Sequence, residues 1–421
     1  MKNFKKLLIF LLIFLLLPLY GCWDLKEIQQ RAFIFAIGYD KYEMGEPLAK
    51  ETKPQQEAEK KGEEGEVSKA GQKNHQIPES ANEQYRWLVT IAFPNVKKFG
   101  AQGGGGGGDQ ETARFVVTTV GIRGHEAVRE LNTRLNKFVD FGHTQAVIIG
   151  EEYAKDKDLF KELMDGLERE KSMKRKVRMV VVKDGRAQDL MHLKTIFEPV
   201  YGSYIRGIFS MASNNILTPV EDVNTILREL HESDGNTLIP KITYGENDFK
   251  ISGYAVIKDY HLIGWTEDIE TRPIRILRNN VGAGIMTVDV QGIQVPFDIT
   301  LLKTSKKVVV EGDKITMLVK IKSEGNIIGH SMGIIGEVFD TKYIETVQKA
   351  LEEKIKKEVT DVILKFQNQY KVDAFGFGDY IKKFKPDLWE KVKEDWDDKG
   401  FPNLDIRVEV NAKIRNIGLV R

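Results

Sequence analysis

Residues 341–370 read TKYIETVQKALEEKIKKEVTDVILKFQNQY and carry an apolar side chain at every third or fourth position. These positions are Ile344, Val347, Leu351, Ile355, Val359, Val362, Phe366 and Tyr370. The spacing predicts a helix with one apolar face, about 45 Å long at about 1.5 Å per residue. Because such a face must be buried against another element, we expect the helix to pack on the segments before it.

Those segments predict four strands, each short, rich in β-branched residues and bounded by polar residues or glycine. The predicted strands are 285–290, 297–301, 308–310 and 315–319. A further strand is predicted at 405–414. Together with the long helix, they predict a C-terminal α+β domain over residues 273–421, an antiparallel sheet packed by one helix.

A β-hairpin is predicted just upstream, at residues 253–265, GYAVIKDYHLIGW. Two apolar runs flank Lys258, Asp259, Tyr260 and His261, which form the turn. The hairpin is assigned to a small middle domain, residues 196–272, with a helix predicted near 219–230. Trp265 ends the second strand.

The first part of the chain alternates strand and helix patterns, which predicts an α/β domain with a mixed sheet over residues 22–195. Its predicted strands are 32–37, 86–93, 115–120, 141–150 and 178–183, and its helices are 125–138 and 151–169. The whole chain is therefore expected to be a multi-domain α+β protein with mixed and antiparallel sheets.

The N-terminus has the layout of an export signal. Lysines come first, eleven apolar residues follow at 7–17, and Gly21 precedes Cys22. Leu-x-Gly-Cys resembles the bacterial lipobox, in which the cysteine is lipidated after cleavage. Cys22 is the only cysteine of the chain, and its place at the end of the signal argues against a buried core thiol. We therefore expect residues 1–21 to be a lipoprotein signal peptide and Cys22 to carry the lipid.

Two segments have the composition of disordered inserts. Between residues 43 and 84 there are ten Glu and six Lys and no aromatic residue, so little surface is available for burial. Residues 100–110 contain six consecutive glycines followed by Asp109. A phosphate-binding loop would need Gly-Lys-Ser/Thr there, so a linker is the better interpretation.

Composition excludes several classes of site. The net charge is +1, and the basic cluster at 171–176 lacks interleaved aromatic residues, so nucleic-acid binding is not expected. No two of the seven histidines lie three or four residues apart, which leaves no helical metal pair. We expect no metal and no cofactor.

One catalytic pattern does occur, Gly329-His330-Ser331-Met332-Gly333, which matches the nucleophile elbow Gly-x-Ser-x-Gly. The catalytic histidine of that architecture comes later in the chain than the serine, and no histidine follows His330. An esterase using Ser331 is therefore kept only as an alternative, and no catalytic residue is assigned.

Three stretches resemble the Ger(x)C family, the lipoprotein C subunits of nutrient germinant receptors in spore-forming bacteria. The first is the Cys-Trp-Asp-x-x-Glu-Ile start and the apolar strand that ends in Gly-x-Asp. The second is the hairpin, Gly-x-Ala-Val-x-Lys-x-x-x-Leu-x-Gly-Trp, although Pro273 stands where the family commonly has glycine after Thr-Arg. The third is the tail from residue 373 to residue 419.

The resemblance implies a non-enzymatic, lipid-anchored subunit on the outer face of the spore inner membrane. It also implies partners, the A-type and B-type membrane subunits of the receptor. Trp23, Asp24 and Glu27 lie beside the expected anchor and are the candidate partner contacts. A solute-binding lipoprotein is a further alternative, but it would show two similar βα lobes, which the sequence does not predict.

Overall fold

A computed structural model describes residues 30–43, 86–95, 114–193, 201–212, 215–312, 314–329 and 341–417. The predicted fold class is confirmed, because helices combine with one large mixed sheet, one four-stranded sheet and a two-stranded pair. Cys22, Trp23, Asp24, Glu27, Ser331 and both predicted inserts fall outside the described residues.

The strands are, in chain order, β1 (Arg31–Phe33), β2 (Ala36–Lys41), β3 (Trp87–Pro94), β4 (Arg114–Gly121), β5 (Phe138–Asp140), β6 (Ala146–Ile149), β7 (Arg178–Val182), β8 (Thr237–Tyr244), β9 (Phe249–Lys258), β10 (His261–Trp265), β11 (Gly284–Val290), β12 (Ile293–Glu311), β13 (Lys314–Ile327) and β14 (Asp405–Ile417). The helices are α1 (Gly124–Arg134), α2 (Glu151–Lys155), α3 (Lys157–Arg169), α4 (Ala187–His192), α5 (Tyr201–Met211), α6 (Val223–Glu232), α7 (Thr271–Leu277), α8 (Thr341–Lys365), α9 (Phe377–Phe384) and α10 (Pro386–Val392).

The large sheet has the order β10-β9-β8-β7-β6-β2-β3-β4. Its four central strands, β8, β7, β6 and β2, are parallel to one another. An antiparallel hairpin extends the sheet on each side, β9 with β10 and β3 with β4. The central strands are almost wholly apolar and buried, as in Ala146–Ile149, because helices cover both faces.

The helices divide between the two faces of this sheet. The side chains of α1, α3 and α6 belong to one buried apolar cluster, and those of α4 and α5 belong to another. Local sequence sets where two of these helices begin. Asp156 accepts a hydrogen bond from the Leu159 amide at α3, and Asp222 accepts one from Thr225 at α6, both as N-caps.

The predicted hairpin is present as β9 and β10, with its turn at Asp259 and Tyr260. Both residues have positive φ, 49° and 62°, which gives the backbone twist that a tight two-residue hairpin requires. The hairpin forms one edge of the large sheet. Residues 237–265 therefore complete the N-terminal sheet, which differs from the small middle domain expected over 196–272.

The second sheet has the order β11-β12-β13-β14. The first three strands are antiparallel, whereas β14 runs parallel to β13, a difference from the expected antiparallel sheet. Four strands were predicted between residues 285 and 319, and that count is wrong. The segments 297–301 and 308–310 belong to the single strand β12.

Helix α8, with its continuation Phe366–Tyr370, is the long helix that the periodicity predicted. It contacts both edge strands of the second sheet. Glu352 and Gln348 accept hydrogen bonds from the amides of Ala412 and Ile414 on β14, at 2.9 and 3.1 Å. Lys354 donates to the Thr287 carbonyl on β11, at 2.7 Å. The helix thus packs across the second sheet and binds backbone amides and a carbonyl of its edge strands, groups that could otherwise pair with another chain.

Within the described ranges, no helix has both the length and the hydropathy needed to cross a membrane.

Candidate functional site

A cleft of about 250 Å³ opens where the two sheets meet. Helix α6 forms one wall and the turn at residues 373–379 forms the other. Two basic residues also line the cleft, Arg278 just after α7 and Lys306 on β12. Charged and polar side chains dominate the lining, so the cleft is a polar junction inside an otherwise apolar contact between the two sheets.

The centre of this junction is an ion triad around Arg278. Its guanidinium donates to Glu221 at 2.6 Å and to Glu229 at 2.5 Å, and its Nε donates to the Ala374 carbonyl at 3.0 Å. The Arg278 and Glu221 side chains are only 11% and 2% exposed. Burial alone lowers the pKa of Arg278, but the two carboxylates outweigh it and the net pKa is raised. The guanidinium therefore stays charged and joins α6 to the C-terminal turn.

Lys306 is the second cation of the cleft. Its ammonium donates to the Phe375 carbonyl and lies 5.2 Å from the centroid of the Phe377 ring. Burial lowers the pKa of Lys306, while the nearby Asp373 carboxylate opposes that shift. The ammonium thus fixes the turn at residues 373–379 against β12.

Asp373 organises the turn itself. Its carboxylate accepts hydrogen bonds from the amides of Phe375, Phe377 and Gly378 and from the indole nitrogen of Trp396, at 2.6 to 3.2 Å. The Phe377 and Gly378 amides lie in the first turn of α9, where backbone amides lack partners within the helix. The Asp373 side chain therefore holds α9 and Trp396 in one arrangement.

Two other carboxyls in this region have raised pKa values. Burial raises the pKa of Asp379, and the Asp373 and Glu232 carboxylates add to the effect. Burial also raises the pKa of Asp397 to about 6. Asp397 accepts a hydrogen bond from the Asn236 side chain at 2.7 Å, which ties the C-terminal unit to the start of β8.

A second set of contacts joins the hairpin side of the large sheet to α8. Arg272 and Glu358 form two parallel hydrogen bonds at 2.9 and 2.5 Å, and Lys365 pairs with Glu270 at 2.8 Å. The Tyr370 hydroxyl donates to the Trp265 carbonyl at 2.7 Å. Trp265, at the end of the hairpin, therefore lies at the joint between the two sheets and is partly buried.

The joint between the two sheets is held by contacts among its own charged groups. The charged groups that meet at its centre bind one another or main-chain carbonyls. Among the described residues, no group of three His, Cys, Asp or Glu side chains is placed to hold a metal ion. The interactions at the joint are ion pairs and hydrogen bonds between two structural units.

Sequence reasoning did not select the residues of the joint, although a signal was present. Residues 272–278 read RPIRILR, with arginines three apart in an apolar run. Arginines are rarely buried without partners, so this spacing indicates a contact surface rather than a solvated face. Arg275, which is 2% exposed, donates to the Ala212 and Asn215 carbonyls. The partners of the three arginines come from distant segments and could not be identified locally.

Comparison with known proteins divides the chain into two matched regions. Residues 24–244 match the family described as "Spore germination protein N-terminal domain". Residues 252–418 match "Spore germination B3/GerAC like, C-terminal". The gap between the two matches, residues 245–251, covers the turn between β8 and β9 and the start of β9. The C-terminal match therefore includes most of β9 and all of β10, two strands of the large sheet.

Individual relatives span nearly the whole chain. "Spore germination protein YndF" of Bacillus subtilis (strain 168) is 27% identical, over 97% of this chain and 95% of the relative. "Spore germination protein KC" of the same strain is 24% identical, over 99% and 96%. The crystal structure of the GerBC protein shares the fold, with a TM-score of 0.55 and 20% identity over 78% of this chain and 94% of that chain. The N-terminal match alone covers more than half of the 421 residues of this chain. The chain therefore belongs to the spore germination GerAC-like family.

Proposed function

We propose that this chain is a lipid-anchored, non-enzymatic subunit of a nutrient germinant receptor and acts in spore germination. The observation that carries the proposal is the family match over both halves of the chain. Relatives named as spore germination proteins align along almost their full lengths, so the likeness extends beyond one shared domain.

Cys22 supplies the anchor in this proposal. It follows the export signal in a Leu-x-Gly-Cys context and is the only thiol of the chain. Two acyl chains bind a bilayer stably, whereas one binds it marginally, and a lipobox cysteine carries a diacyl group. The protein would then lie on the outer face of the spore inner membrane.

The partners in this proposal are the A-type and B-type membrane subunits of the receptor. Trp23, Asp24 and Glu27 directly follow the anchor and are the proposed contacts with those subunits. The ion pairs between the two sheets support a structural role, because they hold the C-terminal unit in a fixed position relative to the anchored N-terminal unit.

The anchor is tested by substituting Cys22→Ala in the full chain. Labelled palmitate should no longer be incorporated, while the protein remains folded. Palmitate incorporation that survived the substitution would refute Cys22 as the lipid attachment site.

Assembly is tested by the double charge reversal Asp24→Lys with Glu27→Lys. We expect a folded, lipidated protein that no longer co-purifies with the other receptor subunits from detergent-solubilised spore membranes and no longer supports germination. Asp387→Lys with Glu390→Lys is the matched control, because it changes two exposed acids at the same spacing on α10. Normal assembly of the first variant would remove the N-terminal segment as a partner contact.

The esterase alternative is tested with the same preparation. A fluorogenic ester cleaved by the wild-type protein but not by Ser331→Ala would establish an enzyme and overturn the non-enzymatic assignment. Equal, background rates for both proteins would support it.

A further inference from the structure

The described chain begins at a point that is firmly fixed on the N-terminal unit. β1 pairs with β5 in parallel, and Arg31 forms an ion pair with Asp140 at 2.8 Å. The Ile34 amide adds a hydrogen bond to the Asp140 carbonyl at 3.0 Å. The position of Gln30, directly before β1, is therefore set by the fold.

Gln30 lies only eight positions after Cys22 in the chain. A fully extended chain spans at most about 3.6 Å per residue, so Gln30 lies within about 29 Å of the Cys22 backbone. If Cys22 is acylated, as proposed above, the start of β1 lies within this distance of the anchored residue, so the surface around β1 and β5 can reach the membrane. The inference below rests on that proposed anchor.

This surface combines an exposed aromatic residue with a cluster of basic residues. Phe138, in β5, is 48% exposed, and Lys137 beside it is also exposed. The turn after β5 touches the segment 171–176, since a side-chain carbon on Gly142 would lie 3.7 Å from the Ser172 carbonyl. The buried Met173 fixes that segment against the core.

The segment 171–176 reads KSMKRK, and its Arg175 guanidinium donates to the Leu167 and Glu168 carbonyls, at 3.1 and 2.7 Å. Lys171, Lys174, Arg175 and Lys176 are all exposed, and the segment contains no acidic residue. Two nearby acids make contacts within the unit. Asp140 pairs with Arg31, and Glu170 accepts hydrogen bonds from the amide and hydroxyl of Ser172.

We propose that residues 30–33, 137–143 and 171–176, here called the anchor-proximal face, rest on the anionic headgroups of the membrane that holds Cys22. Basic side chains near an anionic bilayer are attracted to its negative surface potential. An exposed apolar side chain such as Phe138 is stabilised at the boundary between headgroups and acyl chains, where its apolar area is removed from water. The face would then fix the orientation of the N-terminal unit, which a lipid tether alone does not do.

The test uses the full lipidated chain in vesicles, with one engineered cysteine carrying a nitroxide label. Cys22 is acylated, so Phe138→Cys supplies the only free thiol. Lys413→Cys, an exposed site on β14, is the control position. Vesicles contain phosphatidylglycerol with phosphatidylcholine, or phosphatidylcholine alone. Collisions with oxygen, which concentrates in lipid, are compared with collisions with a water-soluble nickel complex.

We expect lipid contact at the Phe138→Cys label in vesicles with phosphatidylglycerol, and a fully aqueous signal at Lys413→Cys. Lys171→Glu with Lys174→Glu and Lys176→Glu should return the Phe138→Cys label to the aqueous value. Lys349→Glu with Lys356→Glu and Lys413→Glu, three exposed lysines elsewhere, should not. High salt should also weaken the contact, because the Debye length falls from about 30 Å at 0.01 M to about 3 Å at 1 M.

Other results separate the two proposals. A chain that floats with vesicles but keeps an aqueous label both at Phe138→Cys and at Asn136→Cys, which retains the Phe138 ring, would overturn the anchor-proximal face and leave the anchor intact. Equal lipid contact in phosphatidylcholine alone would overturn the role of charge. Protection of the label only after addition of the other receptor subunits would assign the face to a protein partner. A wild-type chain that floats with neither kind of vesicle would refute the anchor itself.

Discussion

Replacing Arg278 by methionine should destabilise the protein through the two carboxylates that remain behind. Arg278 is 11% exposed and lies 2.6 Å from Glu221 and 2.5 Å from Glu229. Removing one partner of a buried ion pair costs about 3–5 kcal/mol, because the remaining charge has lost its compensation. Glu229 is 21% exposed and keeps some contact with water, which favours the lower end, about 3 kcal/mol.

Thermal and urea unfolding would measure this loss. A unit of this size loses about 2–4 °C of melting temperature per kcal/mol, so Arg278→Met should lower the transition by roughly 6–12 °C. Arg169→Met is the control, because Arg169 pairs with Asp165 on the exposed surface of α3 and its loss should leave the midpoint unchanged.

A triple variant tests the physical cause. Arg278→Met combined with Glu221→Gln and Glu229→Gln removes the uncompensated charges and keeps side chains of similar size. It should recover much of the stability lost in the single variant, since well-packed neutral groups often replace buried ions at little cost. A triple variant as unstable as the single one would refute the charge argument and assign the loss to packing.

Three further predictions concern the buried Asp40 in the large sheet, the β14 edge of the second sheet and the insert between β2 and β3. Burial raises the pKa of Asp40 to about 6, so the folded state binds this proton more tightly than the unfolded chain does. The stability that Asp40 contributes is therefore present below about pH 4 and is lost as the pH rises through about 6. Asp40→Asn should therefore gain about 3 kcal/mol relative to wild type between pH 4 and pH 7 in urea unfolding, and parallel pH curves for the two proteins would contradict this shift. Gln348→Ala with Glu352→Ala should lower the free energy of unfolding by about 2 kcal/mol and speed amide exchange along β14, because two edge amides lose their acceptors. The control Glu353→Ala, at an exposed position of the same helix, should change neither quantity. Deleting residues 45–82 and inserting a Gly-Ser turn should shift the melting temperature by only a few degrees. The reason is that β2 and β3 are paired with each other and the entropic cost of closing a loop varies weakly with its length. Loss of cooperative unfolding would show that the insert is structural.

Features set by local spacing were predictable from the sequence. The face of α8 repeats every three or four residues, and its buried positions Val347, Leu351, Ile355 and Val359 are those that the pattern selected. The hairpin of β9 and β10 was predictable for the same reason, because two apolar runs and their turn lie within thirteen consecutive residues.

Strand β12 shows where the local pattern misled. Its inward positions include Thr304 and Lys306, which are polar, so the apolar alternation stops between residues 302 and 308. The tertiary structure accommodates both. Thr304 donates to the Ile276 carbonyl at 2.6 Å, and Lys306 donates to the Phe375 carbonyl. Partners from other segments thus allow one continuous strand where the sequence predicts two.

The sequence by itself predicted the long helix and most individual strands, because each depends on residues close together in the chain. The export signal and the lipid site at Cys22 come from the same kind of local pattern and stay predictions. Only the tertiary structure decided which strands share a sheet and which charges meet. Glu221 and Glu229 lie 57 and 49 residues before Arg278. Contacts over such separations depend on how whole elements pack, and packing energy is a property of the assembled core rather than of any short stretch of sequence.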